Sequence, residues 1–197
     1  TSGMTHEFFR VSDPRAPTPD DDDSATFELW LKIDSLAKND VVLFETGGNR
    51  RGLSLTLGDT NLDGIADDVR LVVREKYGSF MQVSAKINQF ADPTSEFVHL
   101  AGVIDDSPSE AAAELYVNGT SIGHTVSRTT INWDGVDEAG LGSVAGEFGG
   151  RIGVPIPENN FVGQIAQFRF FNRVLDDAEI LDHYNATLTP PGHGIKT

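Results

Sequence analysis

The chain has no cysteine, which rules out disulfides and thiolate chemistry. A eukaryotic secreted domain of this size often carries a disulfide, so the absence favours a bacterial extracellular or cell-surface protein. Positive charge is scarce as well: 15 Lys and Arg stand against 30 Asp and Glu, a formal net charge of −15. Such a chain is repelled by nucleic acid and by anionic membranes, and is suited to binding cations in a soluble, extracellular or saline setting. No apolar run is long enough to span a bilayer, so membrane insertion is not expected, and no signal peptide is evident. Helical periodicity is sparse too, which together with 20 glycines favours an all-β architecture. A length of 197 residues fits one large domain with tails.

What the chain does have is an acidic loop, Asp59-Thr60-Asn61-Leu62-Asp63-Gly64-Ile65-Ala66-Asp67-Asp68. Ca²⁺ takes six to eight oxygens, and loops of this kind supply them from alternate positions. Here those positions are Asp59, Asn61, Asp63, Asp67 and the carbonyl of Ile65, with Asp68 as a further oxygen source. Gly64 falls at the sixth position, where the chain turns sharply. Arg70 occupies the twelfth, where an EF-hand needs a bidentate Glu. Leu53, Leu55 and Leu57 before the loop, and Val69, Leu71 and Val73 after it, alternate with period two, so the flanks are strands and not EF-hand helices. The competing reading is a metal-free hairpin loop, because Asp, Asn and Gly are good turn formers.

Short strands separated by turn signals run through the chain from Phe27 to Phe171 and predict a sandwich or barrel. Val117-Asn118-Gly119-Thr120 predicts a two-residue type I′ hairpin. The one expected helix spans Asp176 to Tyr184, with Asp176 as its cap, Glu179 completing a capping box, and Ile180 and Leu181 on an apolar side. Residues 1–24 read as a segment with a first strand at His6–Val11 and a solvated acidic loop at Asp20–Asp23. Residues 25–188 read as the folded domain and residues 189–197 as a linker. That tail, with Thr1 in place of an initiator Met, suggests a module taken from a larger protein.

Phe97-Val-His-Leu-Ala-Gly-Val-Ile-Asp105 followed by Glu114-Leu-Tyr-Val-Asn-Gly119 resembles the central signature of laminin-G-like modules in the concanavalin A-like jelly-roll superfamily. The run from Phe161 to Ile180 is similar to that family's closing strand and helix, and Thr26 to Lys32 to its early strand with a central Trp. Phe97 stands where the family pattern has Trp. The acidic loop resembles the repeats of dockerins and thrombospondin type 3 segments, which dispense with the terminal Glu. The resemblance implies an all-β, two-sheet antiparallel jelly-roll sandwich with one short C-terminal helix.

That superfamily hosts lectins, adhesion modules, glycosidases and lyases, so the site must decide. The E-x-D-x-x-E triplet of its glucanases is absent from the sequence. His99 lies in a strand apolar on both faces and reads as a satisfied core histidine rather than a base. Trp30 faces away from Phe27, Leu29 and Leu31; it either stacks on a sugar or is covered by the helix or a loop. Trp133, with Asp134 and Asp137, suits a sugar platform, since the ring takes an apolar sugar face and the carboxylates accept hydroxyl donors; the alternative is a buried loop anchor. Tyr77 and Phe80, around Gly78, form a third candidate. The expected function is a calcium-binding, non-catalytic carbohydrate-binding or adhesion module of a secreted or surface protein, whose partner is a glycan or an extracellular protein. A glycan-active enzyme and a structural spacer are the competing classes, and no oligomeric state is implied.

Overall fold

A computed structural model describes residues 24–37, 41–48, 51–74, 80–107, 110–127, 133, 139–144 and 159–188. Tyr77, Asp134, Asp137, the segment His6–Val11 and the acid run Asp20–Asp23 lie outside the described residues. Strands β1 (Ala25–Ile33), β6 (Val98–Ser107), β7 (Glu110–Val117), β8 (Thr120–Ser127) and β11 (Gly163–Phe171) form sheet I in the order β11-β1-β6-β7-β8. Sheet II runs β10-β2-β3-β4-β5, from Asn159–Asn160, Val41–Gly48, Arg51–Gly58, Asp68–Arg74 and Phe80–Lys86, with β9 (Gly140–Leu141) also on β2. The long pairings are antiparallel; only two-residue β10 runs parallel, beside β2. Helix α1 (Asp177–Leu188) follows β11. This is the jelly-roll sandwich, with one α-helix among the described residues, toward the C-terminal end.

Period-two alternation builds the core between the sheets. Phe27, Leu29 and Leu31 of β1 meet Leu53, Leu55 and Leu57 of β3 and Val69, Leu71 and Val73 of β4 in one buried cluster. Each such side chain contributes about 1.5–3 kcal/mol by leaving water. In β2 the alternation is broken by a bulge between Val42 and Phe44, which lets both Leu43 and Phe44 join the core. Sequence periodicity alone does not show this, because the extra residue shifts the phase.

The hairpin joining β7 to β8 turns at Asn118 (φ 51°) and Gly119 (φ 73°), the pair of left-handed residues that a type I′ turn needs. Asn118 also ties the turn to β6, since its Oδ1 accepts the His99 N–H at 3.0 Å and its own N–H donates to the His99 carbonyl at 2.8 Å. A Cβ on Gly119 would lie 3.0 Å from Leu181 and 3.2 Å from Tyr184, so a bare glycine lets α1 pack onto the hairpin tip.

At this same end of the long strands four connections are stitched together by main-chain bonds. Ile33 N–H donates to Pro93, Asp34 to Val162, Ala66 to Leu36 and Ile87 to Asp67, at 2.7 to 3.0 Å. The acidic loop is part of this rim.

Candidate functional site

Trp133 is 1% exposed and belongs to the core cluster. This corrects its reading as a sugar platform: the ring is enclosed by apolar neighbours and presents no face to a ligand, so Trp133 is a loop anchor. Trp30 is likewise buried, packed at a tilt on His99 with ring centroids 4.1 Å apart and with the Arg169 guanidinium 5.1 Å from its own ring. Of its two readings, cover by the chain's own elements holds.

That cover closes the outer face of sheet I. Thr26 Oγ1 donates to the Arg173 carbonyl at 2.9 Å and accepts the Leu175 N–H at 3.0 Å. Asp176 and Glu179 form the expected capping box, the Glu179 N–H reaching Asp176 at 2.8 Å and the Asp176 N–H reaching Glu179 at 3.1 Å. Arg173 grips the Glu179 carboxylate at 2.6 and 2.8 Å, and with the Asp176 N–H holds it down to about 2. Beneath the helix, Leu175 and Ile180 pack with Ala101, Val103 and Tyr116 as a second apolar cluster.

Within this face lies a buried carboxylate. Glu28 is fully buried, with His183 Nδ1 3.0 Å away, His99 Nε2 at 3.6 Å and Arg169 at 3.6 Å. Burial pushes the Glu28 acid upward, but the His99 and His183 imidazoles outweigh it and leave the group below its usual range. His99 is buried as expected, but beneath α1 on the outer face of sheet I, and it is not satisfied: among the described residues neither ring nitrogen has a hydrogen-bond partner. Its 3.6 Å approach to Glu28 is an electrostatic contact and not a hydrogen bond. A period-two pattern reports the buried face of a strand and says nothing of the partners across it.

A cleft of about 470 Å³ opens beside the start of α1, lined by Val103, Asp105, Glu114, Tyr116, Asp176 and Asp177 among others. Its polar groups are engaged: Tyr116 donates to Asp177 at 2.6 Å, Glu114 accepts from Ser121, and Asp176 caps the helix. Burial and these acids push the Tyr116 phenol upward, so it stays a neutral donor.

The outer face of sheet II is different. Strand register places Thr56, Arg70 and Ser84 in one cross-strand row, Glu45, Ser54, Val72 and Gln82 in the next, and Arg74 opposite Phe80 in a third. Glu45, Ser54 and Thr56 form a buried polar floor; Arg70 and Arg74 are half-buried, and Gln82, Ser84 and Phe80 are exposed. The Arg70 guanidinium lies where a Cβ on Gly58 would stand, 1.6 Å from it, so glycine lets the arginine rest on the β3 backbone. Sequence reasoning passed over both arginines. Their signal was the alternation Arg70-x-Val72-x-Arg74, which puts both on one face of a strand. Phe80, a candidate from sequence, is brought together with them.

The structure divides the acidic loop. At its tip, Asp59 accepts the N–H groups of Asp63 and Gly64 at 3.1 and 2.7 Å, and Asp63 accepts from Asn61 and from the Ile65 N–H at 2.7 and 2.9 Å. These bonds, led by the Asn61 amide, hold the Asp63 acid below its usual range. Asp67 instead turns inward to Lys86 and Asn88. Asp68 accepts the Thr60 N–H at 2.8 Å and lies 3.7 Å from Lys86. Asp67, chiefly, pushes the Lys86 amine upward. So Asp59, Asn61 and Asp63 bond within the tip, the Ile65 carbonyl accepts the Asp67 N–H at 2.9 Å, and Asp67 and Asp68 serve Lys86; among the described residues no three acidic or histidine side chains converge as a metal-holding group.

This fold and site define a class. A laminin G family of the concanavalin A-like lectin/glucanases superfamily matches residues 10–181, and the chain belongs to that family. No curated protein matches the sequence. Among solved structures, CBM40 of the Ruminococcus gnavus IT-sialidase, bound to α2,3-sialyllactose, is similar with a TM-score of 0.63, 19% identity and 82% coverage of both chains. The botulinum neurotoxin type G receptor binding domain gives 0.58 at 12% identity, over 83% of this chain and 38% of that one. The binding domain of botulinum neurotoxin DC in complex with rat synaptotagmin II gives 0.57 at 16%, over 83% and 35%. The chain therefore spans little more than a third of the neurotoxin structures. At these identities the likeness establishes the fold. No helix among the described residues is long and apolar enough to cross a membrane.

Proposed function

We propose that this chain is a non-catalytic carbohydrate-binding module of a secreted or surface protein, and that it takes an acidic glycan on the outer face of sheet II. The observation that carries this reading is the placement of Arg70 and Arg74 on one strand face, between a polar floor and the exposed Gln82, Ser84 and Phe80. Two positions of the same parity four residues apart on a strand are about 13 Å apart. One guanidinium can therefore grip a sugar carboxylate through paired N–H bonds while the other reaches the next residue of the glycan. Phe80 offers a ring for an apolar sugar face. With Lys86 paired to Asp67 and Asp68, Arg70 and Arg74 face the single acid Glu45 on this part of the sheet in a protein of net charge −15, a small local positive excess that favours an anion. The bound sialyllactose of the R. gnavus neighbour makes sialylated glycans the first to try.

In the same reading the tip of the acidic loop is a calcium site. Asp59, Asn61, Asp63 and the Ile65 carbonyl would hold the ion, whose charge would rigidify the rim; Asp67 and Asp68, held by Lys86, contribute only to the local field.

The cleft beside α1 carries the carboxylates that a glycan-active enzyme could use, and incubation with polysaccharides tests it: reproducible release of reducing ends or unsaturated products would replace the binding reading. A calorimetric titration with sialyllactose and with lactose tests the main proposal. Binding of the former alone, weakened by salt, is expected; equal binding of both would remove the role of the arginines.

A further inference from the structure

The rim that carries the acidic loop has a property that the glycan reading leaves unused. Among the described residues nine large hydrophobic side chains are exposed, and five of them stand here: Leu62 at 82%, and Ile65, Phe90, Phe97 and Val162 between 42 and 49%. They come from three separate connections, so no single local sequence accounts for the concentration. The connections are fixed in place: Asp34 donates to Val162, Ala66 to Leu36 and Ile87 to Asp67 through main-chain bonds. Side-chain bonds brace the individual loops: Asp59 and Asp63 hold the Leu62–Ile65 turn, and Asp92 accepts from Thr94 at 3.0 and 2.7 Å. The apolar side chains are thus presented on a preformed frame, which lowers the ordering cost of association. Exposed apolar groups gathered in one place and ringed by polar ones mark interaction surfaces. The ring here is acidic, since Asp34, Asp92 and Glu96 are all exposed on the same connections.

We propose that this rim docks a partner protein through a segment that is apolar at its centre and basic at its margins. Charge selects that occupant. A second copy would bring another −15 against the same acidic ring, and an anionic lipid surface is repelled in the same way. A basic amphipathic segment satisfies both features, its apolar side chains covering Leu62, Ile65 and Phe97 while its Lys or Arg meet the surrounding carboxylates.

The probe is a labelled amphipathic helical peptide of leucine and lysine, titrated in chelator so that calcium plays no part. Its counterpart, with leucine replaced by glutamine at equal charge, reports electrostatic attraction alone. The variant L62S/F97S leaves the protein's charge unchanged. The leucine–lysine peptide is expected to bind the wild type at least about tenfold more tightly than the glutamine counterpart, and to lose about the same factor in the variant, as loss of a central apolar contact implies. Added salt should weaken it further. Retention of sialyllactose affinity and melting temperature by the variant shows that the fold and the glycan site are intact, so the two proposals fail separately. Equal peptide affinity in wild type and variant would overturn the docking surface. So would self-association of the wild type, or its uptake by phosphatidylcholine vesicles, if either is abolished by the same substitutions, because the occupant would then be a second copy or a membrane.

Discussion

The outer faces of the two sheets begin from similar material and end with opposite roles. On sheet I, Glu28, Trp30 and His99 could have offered a carboxylate, an aromatic and an imidazole to a ligand, but α1 and the Asn172–Asp176 connection lie over them and the polar groups face one another. On sheet II the Glu45, Ser54, Thr56 and Val72 side of the face is buried too, but the half-buried arginines stand beside the exposed Gln82, Ser84 and Phe80, where the face is open. The difference teaches that the residue types of a glycan site are not enough. What separates a site from a structural cluster is whether another element of the same chain has already taken the face.

The largest test of that contrast is Glu28→Ala. It leaves Arg169 and two imidazoles around a vacated buried position, and removing one partner of a buried charge cluster costs about 3–5 kcal/mol. For a domain of this size the melting temperature should drop by about 6–20 °C. Sialyllactose affinity of the folded protein should not change; a large loss of affinity with little loss of stability would move the site to sheet I.

Calcium is the next effect. If dissociation is on the order of 10 µM, then 1 mM calcium stabilises by about 2.7 kcal/mol, or roughly 5–10 °C relative to chelator. Asp63→Ala should abolish most of this rise, whereas Lys86→Met should not, because the proposed donors are Asp59, Asn61 and Asp63 at the tip. An unchanged calcium response in Asp63→Ala would place the ion elsewhere, and no response in the wild type would leave the loop as a hydrogen-bonded turn.

Acid should distinguish the faces as well. Glu28 is held below its ordinary value of 4.5, so its stabilisation is present above that value and is lost as pH falls through the lower folded value. Glu179, at about 2, has the same sign. Glu28→Gln should therefore flatten the acid limb of the stability curve below about pH 4.5; an acid limb identical to wild type would mean that the carboxylate is not charged in the folded state. Smallest is Asp176→Ala, which removes the helix cap and should cost about 1 kcal/mol by chemical denaturation; no measurable loss would mean that α1 is held by Leu175 and Ile180 alone.

Much of the fold was legible because its signals are local. Alternation in β1, β3 and β4, the Asn118-Gly119 turn and the Asp176–Glu179 box each need only a few neighbouring residues. Short β9 and β10 were not legible, since two-residue pairings carry no period. The site was harder for the same reason. Asp67 is drawn from the loop by Lys86, 19 residues away, through the Asp68–Lys86 register of β4 and β5. Trp133, in a polar stretch, is taken into the core by contacts that no local pattern announces.

The contrast between the faces can be measured in one titration series. Sialyllactose affinity is determined calorimetrically for the wild type, for Arg70→Gln on sheet II and for Ile180→Ala under the helix of sheet I. The arginine variant should lose about 1.5–3 kcal/mol of binding, roughly 10- to 150-fold, as expected when a charge-assisted contact is removed. The helix variant should melt lower but bind with wild-type affinity. Unchanged binding in Arg70→Gln, or loss confined to Ile180→Ala, would contradict the account and make sheet I the ligand face.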